Sequence, residues 1–82
     1  MKVIKRELKI IEQDQGAIIF EKERGIYFQV NQVGKLLIEG LGEGKTKDEL
    51  VAELKNSFGL ERATAESDVN EFFSMLREVG LA

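Results

Sequence analysis

The segment EGLGEGKT, Glu39 to Thr46, comes within one residue of a phosphate-binding loop. Such a loop reads G-x-x-x-x-G-K-[ST]: backbone amides cradle the phosphates and the lysine reaches their oxygens. Gly44, Lys45 and Thr46 fit, but the first glycine would have to stand where Glu39 is. The context fails as well, because a helical pattern precedes this loop and the cradle requires a strand. The other candidates for chemistry are carboxylates and hydroxyls. No segment has the D-x-[DN]-x-[DN]-G-x5-E spacing of a calcium loop, and Asp14-Gln15-Gly16 reads as a turn. Ser57, Ser67 and Ser74 have no histidine to activate them, since the chain contains neither His nor Cys. That removes the usual nucleophile–base pairs, thiolate chemistry and the commonest zinc ligands. The sequence therefore predicts a protein that is not an enzyme, with no metal and no cofactor. Its carboxylates read as a solvated surface.

Composition points the same way. A chain of 82 residues is expected to form one domain, residues 1–82. At this size folding buries roughly 60% of the unfolded chain's surface, so most apolar residues must serve the core. Hydrophobic content of 43% with 33% charged residues suits a soluble globular chain. Apolar runs are too short to span a membrane. Met1–Ile11 alternates charge with aliphatics and has no signal-peptide core, so a cytoplasmic location is expected. A net charge of -3 disfavours a phosphate-backbone partner.

Two stretches of contrasting periodicity must position whatever the protein does. RELKIIEQDQGAIIFEKERGIYFQVN is rich in Ile, Val, Phe and Tyr and is broken at QDQG and KERG. Breaks this short allow only antiparallel hairpins, which predicts a three-stranded meander with strands near Lys5–Ile11, Ala17–Lys22 and Ile26–Val30. Asn31 is a favoured N-cap, after which Val33, Leu36, Leu37 and Leu41 fall at helical spacing. Gly34 inside that helix suggests close packing on a neighbour. Thr46 and Glu49 form a T-x-x-E capping box that opens a second helix. Its apolar stripe is Leu50, Val51, Leu54 and Phe58, and Gly59 ends it. A third helix spans about Arg62–Val79, with Val69, Phe72, Phe73, Leu76 and Val79 on one face and Gly80 as its stop. The order is an α+β, winged-helix-like fold: a three-stranded antiparallel sheet followed by three helices.

Winged helices often bind DNA, but a recognition helix must be basic where it meets the groove. The third helix carries Glu61, Glu66, Asp68, Glu71 and Glu78 against Arg62 and Arg77. Phosphate would repel it. A regulator contacting nucleic acid or protein remains the alternative from another functional class.

The last strand of a meander is an edge strand, exposing unpaired N–H and C=O groups unless something covers it. Ile26–Val30 has no Lys, Pro or bulge to protect it. Alternation sends Ile26, Phe28 and Val30 one way, and Tyr27 and Gln29 the other. Such an edge suits docking of an extended peptide. A third helix lying alongside would supply a far wall through Phe72 and Met75, while Phe28, Val30, Phe73 and Leu76 read as core.

The run from Tyr27 to the C-terminus resembles the PqqD-like proteins, recognition elements for ribosomally made, post-translationally modified peptides. The matching pieces are Tyr27–Asn31, Gly34, Gly44-Lys45-Thr46 with Glu49-Leu50, Phe58, and Asp68-Val69 through Phe72, Leu76, Gly80 and Leu81. Individually loose, they fall in order and at the family's spacing, over about Lys5 to the C-terminus. Val30 stands where Leu is usual, Gln32 where Pro is frequent, and the family's common Trp is missing. The resemblance implies that a precursor's leader segment adds as a fourth strand beside strand three, against helix three. The expected peptide-binding residues are Ile26, Tyr27, Phe28, Gln29, Val30, Asp68, Val69, Phe72, Met75 and Leu76. Asp68 or Glu71 would pair with a Lys or Arg of the leader. It further implies a lasso-peptide pathway, with delivery to a leader peptidase or other modifying enzyme. The quinone-cofactor pathway, with a radical enzyme as partner, is the second implied setting.

Overall fold

The computed structural model describes residues 7–81. Strands β1 (Leu8–Gln13), β2 (Gly16–Glu21) and β3 (Ile26–Asn31) form an antiparallel meander in the order β1-β2-β3. Helices α1 (Gln32–Gly42), α2 (Lys47–Phe58) and α3 (Arg62–Glu78) follow. This is the α+β, winged-helix-like order that periodicity and turn chemistry predict. Strand β1 runs later than expected: Gln13 pairs with Gly16, so only Asp14 and Gln15 lie in the turn. The predicted strand residues Lys5 and Arg6 lie outside the described residues.

Pairing places Ala17, Ile19 and Glu21 on one face of the sheet, in register with Val30, Phe28 and Ile26 of β3. Ala17 and Ile19 are fully buried there, and alternation puts Ile18, Phe20, Tyr27 and Gln29 on the opposite face. The helices pack on the first face. Leu37, Ile38, Leu41, Leu50, Val51, Leu54, Ala65, Val69, Phe72, Leu76 and Leu81 join Ala17 and Ile19 in one core cluster.

Helix α1 sits centrally, touching β2, β3, α2 and α3. Being surrounded, it buries a broader surface than one stripe: Ile38 is fully buried, while Val33 and Leu36 are only half-buried. The Asn31 side chain accepts from the Gly34 N–H at 2.9 Å, making the expected N-cap. Gly34 explains itself by close approach, since a Cβ there would stand 2.8 Å from the Val30 Cβ. Lys35 of α1 ion-pairs with Glu12 of β1, and that hydrogen bond lowers the carboxyl's pKa and raises the amine's.

Helix α2 opens with the predicted capping box. The Glu49 N–H donates to Thr46 Oγ1 at 3.2 Å, and the Thr46 N–H donates to Glu49 Oε1 at 2.9 Å. The hydrogen bond from the Thr46 backbone holds the Glu49 carboxyl below its ordinary pKa. Lys45 is occupied by Glu53 at 2.5 Å and Glu43 at 3.4 Å, in keeping with a structural loop. Phe58 departs from the expected stripe and is 39% exposed. It is the last residue of α2, and the chain turns away at Gly59 before another helical turn could cover it.

Candidate functional site

Strand β3 pairs with β2 along one edge, and its other edge has no partner strand among the described residues. The far edge of β1 is open in the same sense, which the sequence reading did not weigh. The two edges differ in chemistry. β1 carries Lys9 and Glu12, the charges that guard natural edges, whereas IYFQVN in β3 carries none. They differ in surroundings too, because only the edge of β3 borders the cleft described next.

Helix α3 rests on α2 and reaches α1, but no Cα of α3 comes within 8 Å of a Cα of β3. The space between them is a cleft of about 400 Å³. Its sides are Gln29, Val30 and Asn31 from β3 and Asp68, Glu71, Phe72 and Met75 from α3. Val33, Gly34 and Leu37 of α1 complete the lining. That volume is at the low end for ligand sites, enough for a few anchoring side chains of a longer partner. Among the described residues its charged groups are two carboxylates with no cation, while Val30, Val33, Leu37, Phe72 and Met75 supply apolar surface.

Five of the ten sequence-predicted residues therefore meet in one cleft: Gln29, Val30, Asp68, Phe72 and Met75. Ile26, Tyr27 and Phe28 lie farther along the same strand. Ile26 and Phe28 are half-buried toward the helices, and Tyr27 is 72% exposed on the opposite face. Val69 and Leu76 are not among the residues that line the cleft. Both have 0% exposure and sit in the core, so they support the α3 wall from behind and present nothing to the cleft. The face of α3 toward the core and the face toward the cleft are adjacent, and sequence periodicity merges them. The α1 contribution was missed; Gly34 was its signal, marking where the helix start crowds β3.

Among the described residues no group of three or more His, Cys, Asp or Glu side chains could hold a metal ion. No helix among them is long and apolar enough to cross a membrane.

The class these features define is a winged-helix-like α+β domain whose open sheet edge faces its last helix across a cleft. The family described as Coenzyme PQQ synthesis protein D (PqqD) matches residues 16–82, and the chain belongs to that family. No curated protein matches it. Among solved structures it is similar to "TbiB1 in Complex with the TbiA(beta) Leader Peptide", at 27% identity and a TM-score of 0.83, covering 99% of this chain and 93% of that one. It is also similar in fold to "Lasso peptide synthetase B1 complexed with the leader peptide", at 24% identity and a TM-score of 0.80, covering 95% of this chain and 92% of that one.

Proposed function

We propose that this protein binds the leader segment of a ribosomally made precursor peptide and delivers it to a leader-cleaving or modifying enzyme of a lasso-peptide pathway. The leader adds as a fourth strand to β3 along Ile26–Val30, with its alternate side chains against α3. The observation that carries this reading is the uncharged edge of β3, without a partner strand among the described residues, opening onto a cleft walled by α3. The likeness over nearly the whole chain to TbiB1, solved with a leader peptide, supports it.

Energetics say what the leader must look like. About four to six new ladder hydrogen bonds contribute ~0.5–1.5 kcal/mol each. Ordering the peptide backbone costs ~1–2 kcal/mol per residue, so pairing alone roughly breaks even. Affinity then comes from burying one or two apolar anchors, at ~1.5–3 kcal/mol each. In this reading Val30, Phe72 and Met75 receive the anchors, and Asp68 and Glu71 face a Lys or Arg of the leader. Tyr27 and Gln29 flank the peptide on the outer face, while Ile26 and Phe28 hold the strand to the core.

The family's description favours a second setting, the quinone-cofactor pathway. One binding panel separates the two. Fluorescein-labelled TbiA(beta) leader, leaders of short precursors encoded beside this chain, and the quinone-cofactor precursor are titrated by fluorescence polarisation. A dissociation constant in the ~10 nM–10 µM range for a lasso-type leader alone supports the proposal. Binding of the quinone precursor alone moves the protein to the second setting, and no binding to any of them refutes both.

A further inference from the structure

The hairpin between β2 and β3 carries a charge where alternation calls for an apolar residue. Glu21 ends β2 on the same face as Ala17 and Ile19 and is 0% exposed. A carboxylate so placed persists only if it is paired and hydrogen-bonded. Arg24 does both. Its backbone N–H donates to Glu21 Oε2 at 2.6 Å, and its Nε donates to Glu21 Oε1.

The guanidinium then reaches out of the hairpin. Arg24 Nη2 donates to the Val79 carbonyl at 2.7 Å, and Val79 is the C-cap of α3. Gly80 makes room for this contact, since a Cβ there would stand 2.9 Å from Arg24 Nη1. The next residue, Leu81, donates its N–H to the Leu76 carbonyl at 2.8 Å and is fully buried. The end of α3 is thus joined to the core on one side and to the β2–β3 hairpin on the other. While β3 and α3 make no close backbone approach along their lengths, that junction ties the hairpin leading into β3 to the end of α3. It lies two residues before β3 begins, at the opposite end of the strand from the Val30–Gly34 contact.

We propose that the Glu21–Arg24 pair is a strut that sets the spacing between β3 and α3, which makes Arg24 a positioning residue for the peptide entering the cleft. The strut stands on contacts within the free protein, and its consequence for affinity rests on the leader-binding reading. A pair serving only to stabilise the hairpin would leave the spacing unchanged when removed without loss of stability.

The test uses that difference. The chain has no cysteine, so Lys9→Cys and Ser74→Cys, both exposed, accept spin labels on the sheet and on α3 without entering the cleft. Double electron–electron resonance on the free protein then reads the spacing. Glu21→Leu with Arg24→Met removes both charges together, a replacement that is often neutral for folding. Arg24→Lys is the milder variant: it keeps a charge for Glu21 but cannot serve both Glu21 and Val79 through a planar fork. Expected are a broadened distance distribution in each folded variant and about tenfold weaker binding of labelled TbiA(beta) leader. Folded variants with the wild-type distribution overturn the strut, whatever the leader does. If the variants broaden but the wild type binds neither this leader nor any other of the binding panel, the strut stands and the leader-binding reading fails. If the double variant does not fold, Arg24→Lys decides by the same two readouts.

Discussion

Replacing Met75 by alanine probes the wall of the cleft while sparing its support. Met75 and Leu76 are neighbours in α3, but each helical step turns the chain by about 100°, so they face different surroundings. Met75 is half-buried and lines the cleft, whereas Leu76 is sealed in the core. Fully burying a methionine side chain is worth ~1.5–3 kcal/mol, and at most about a third of the Met75 surface is still open in the free protein. A leader strand covering the rest gains ~0.5–1 kcal/mol from Met75, so Met75→Ala weakens binding about two- to fivefold. Leu76→Ala instead leaves a core cavity and costs ~2–5 kcal/mol of folding stability. For a chain of this length total stability is ~4–12 kcal/mol, so that loss is large. Fluorescence polarisation with labelled leader and urea unfolding read the two effects separately. A folded Met75→Ala protein that binds as tightly as wild type would show that the leader does not use this wall.

Four further outcomes are expected. Thr46→Ala removes the α2 N-cap and lowers stability by ~1 kcal/mol in urea, with leader affinity unchanged because the cap is remote from the cleft. The pKa of Glu49 is depressed in the folded state, so its contribution is present above its ordinary value of 4.5 and is lost as pH falls through the folded value. The gap in melting temperature between wild type and Glu49→Gln is therefore open at neutral pH and closes on acidification below the usual carboxylate range. Gly34→Ala gains ~1 kcal/mol of helix propensity but must push back Val30, at an overpacking cost of ~1–3 kcal/mol. It nets a loss of stability and, through Val30, a loss of leader affinity. Duplex DNA is not bound at ~0.1 M salt in an electrophoretic assay, because the acids of α3 outnumber its two arginines.

Most of the frame was legible because local chemistry specified it. The Asn31 cap, the Thr46–Glu49 box and the helical spacing from Val69 onward each encode an element that long-range contacts did not have to create. The alternation in IYFQVN correctly separated Ile26, Phe28 and Val30 from Tyr27 and Gln29. What stayed hidden depends on how elements sit together. Val69 and Leu76 share α3 with Met75, and only the position of α2 and α1 tells which side of that helix is closed. Ile38 is buried because α1 is surrounded, a fact of tertiary placement that no single stripe reveals. Glu21 left a trace: an acid in step with Ala17 and Ile19, with Arg24 three residues on. That trace could be read only once the pairing register fixed which face of β2 is the inner one.

Amide hydrogen exchange of the protein, read residue by residue by NMR with and without leader peptide, tests the central claim most directly. If the leader adds as a strand to β3, amides on the open edge within Ile26–Asn31 become protected on binding, while those of β1 keep their free-state rates. Protection appearing along Leu8–Gln13, or binding that leaves every amide of β3 exchanging as before, would contradict it.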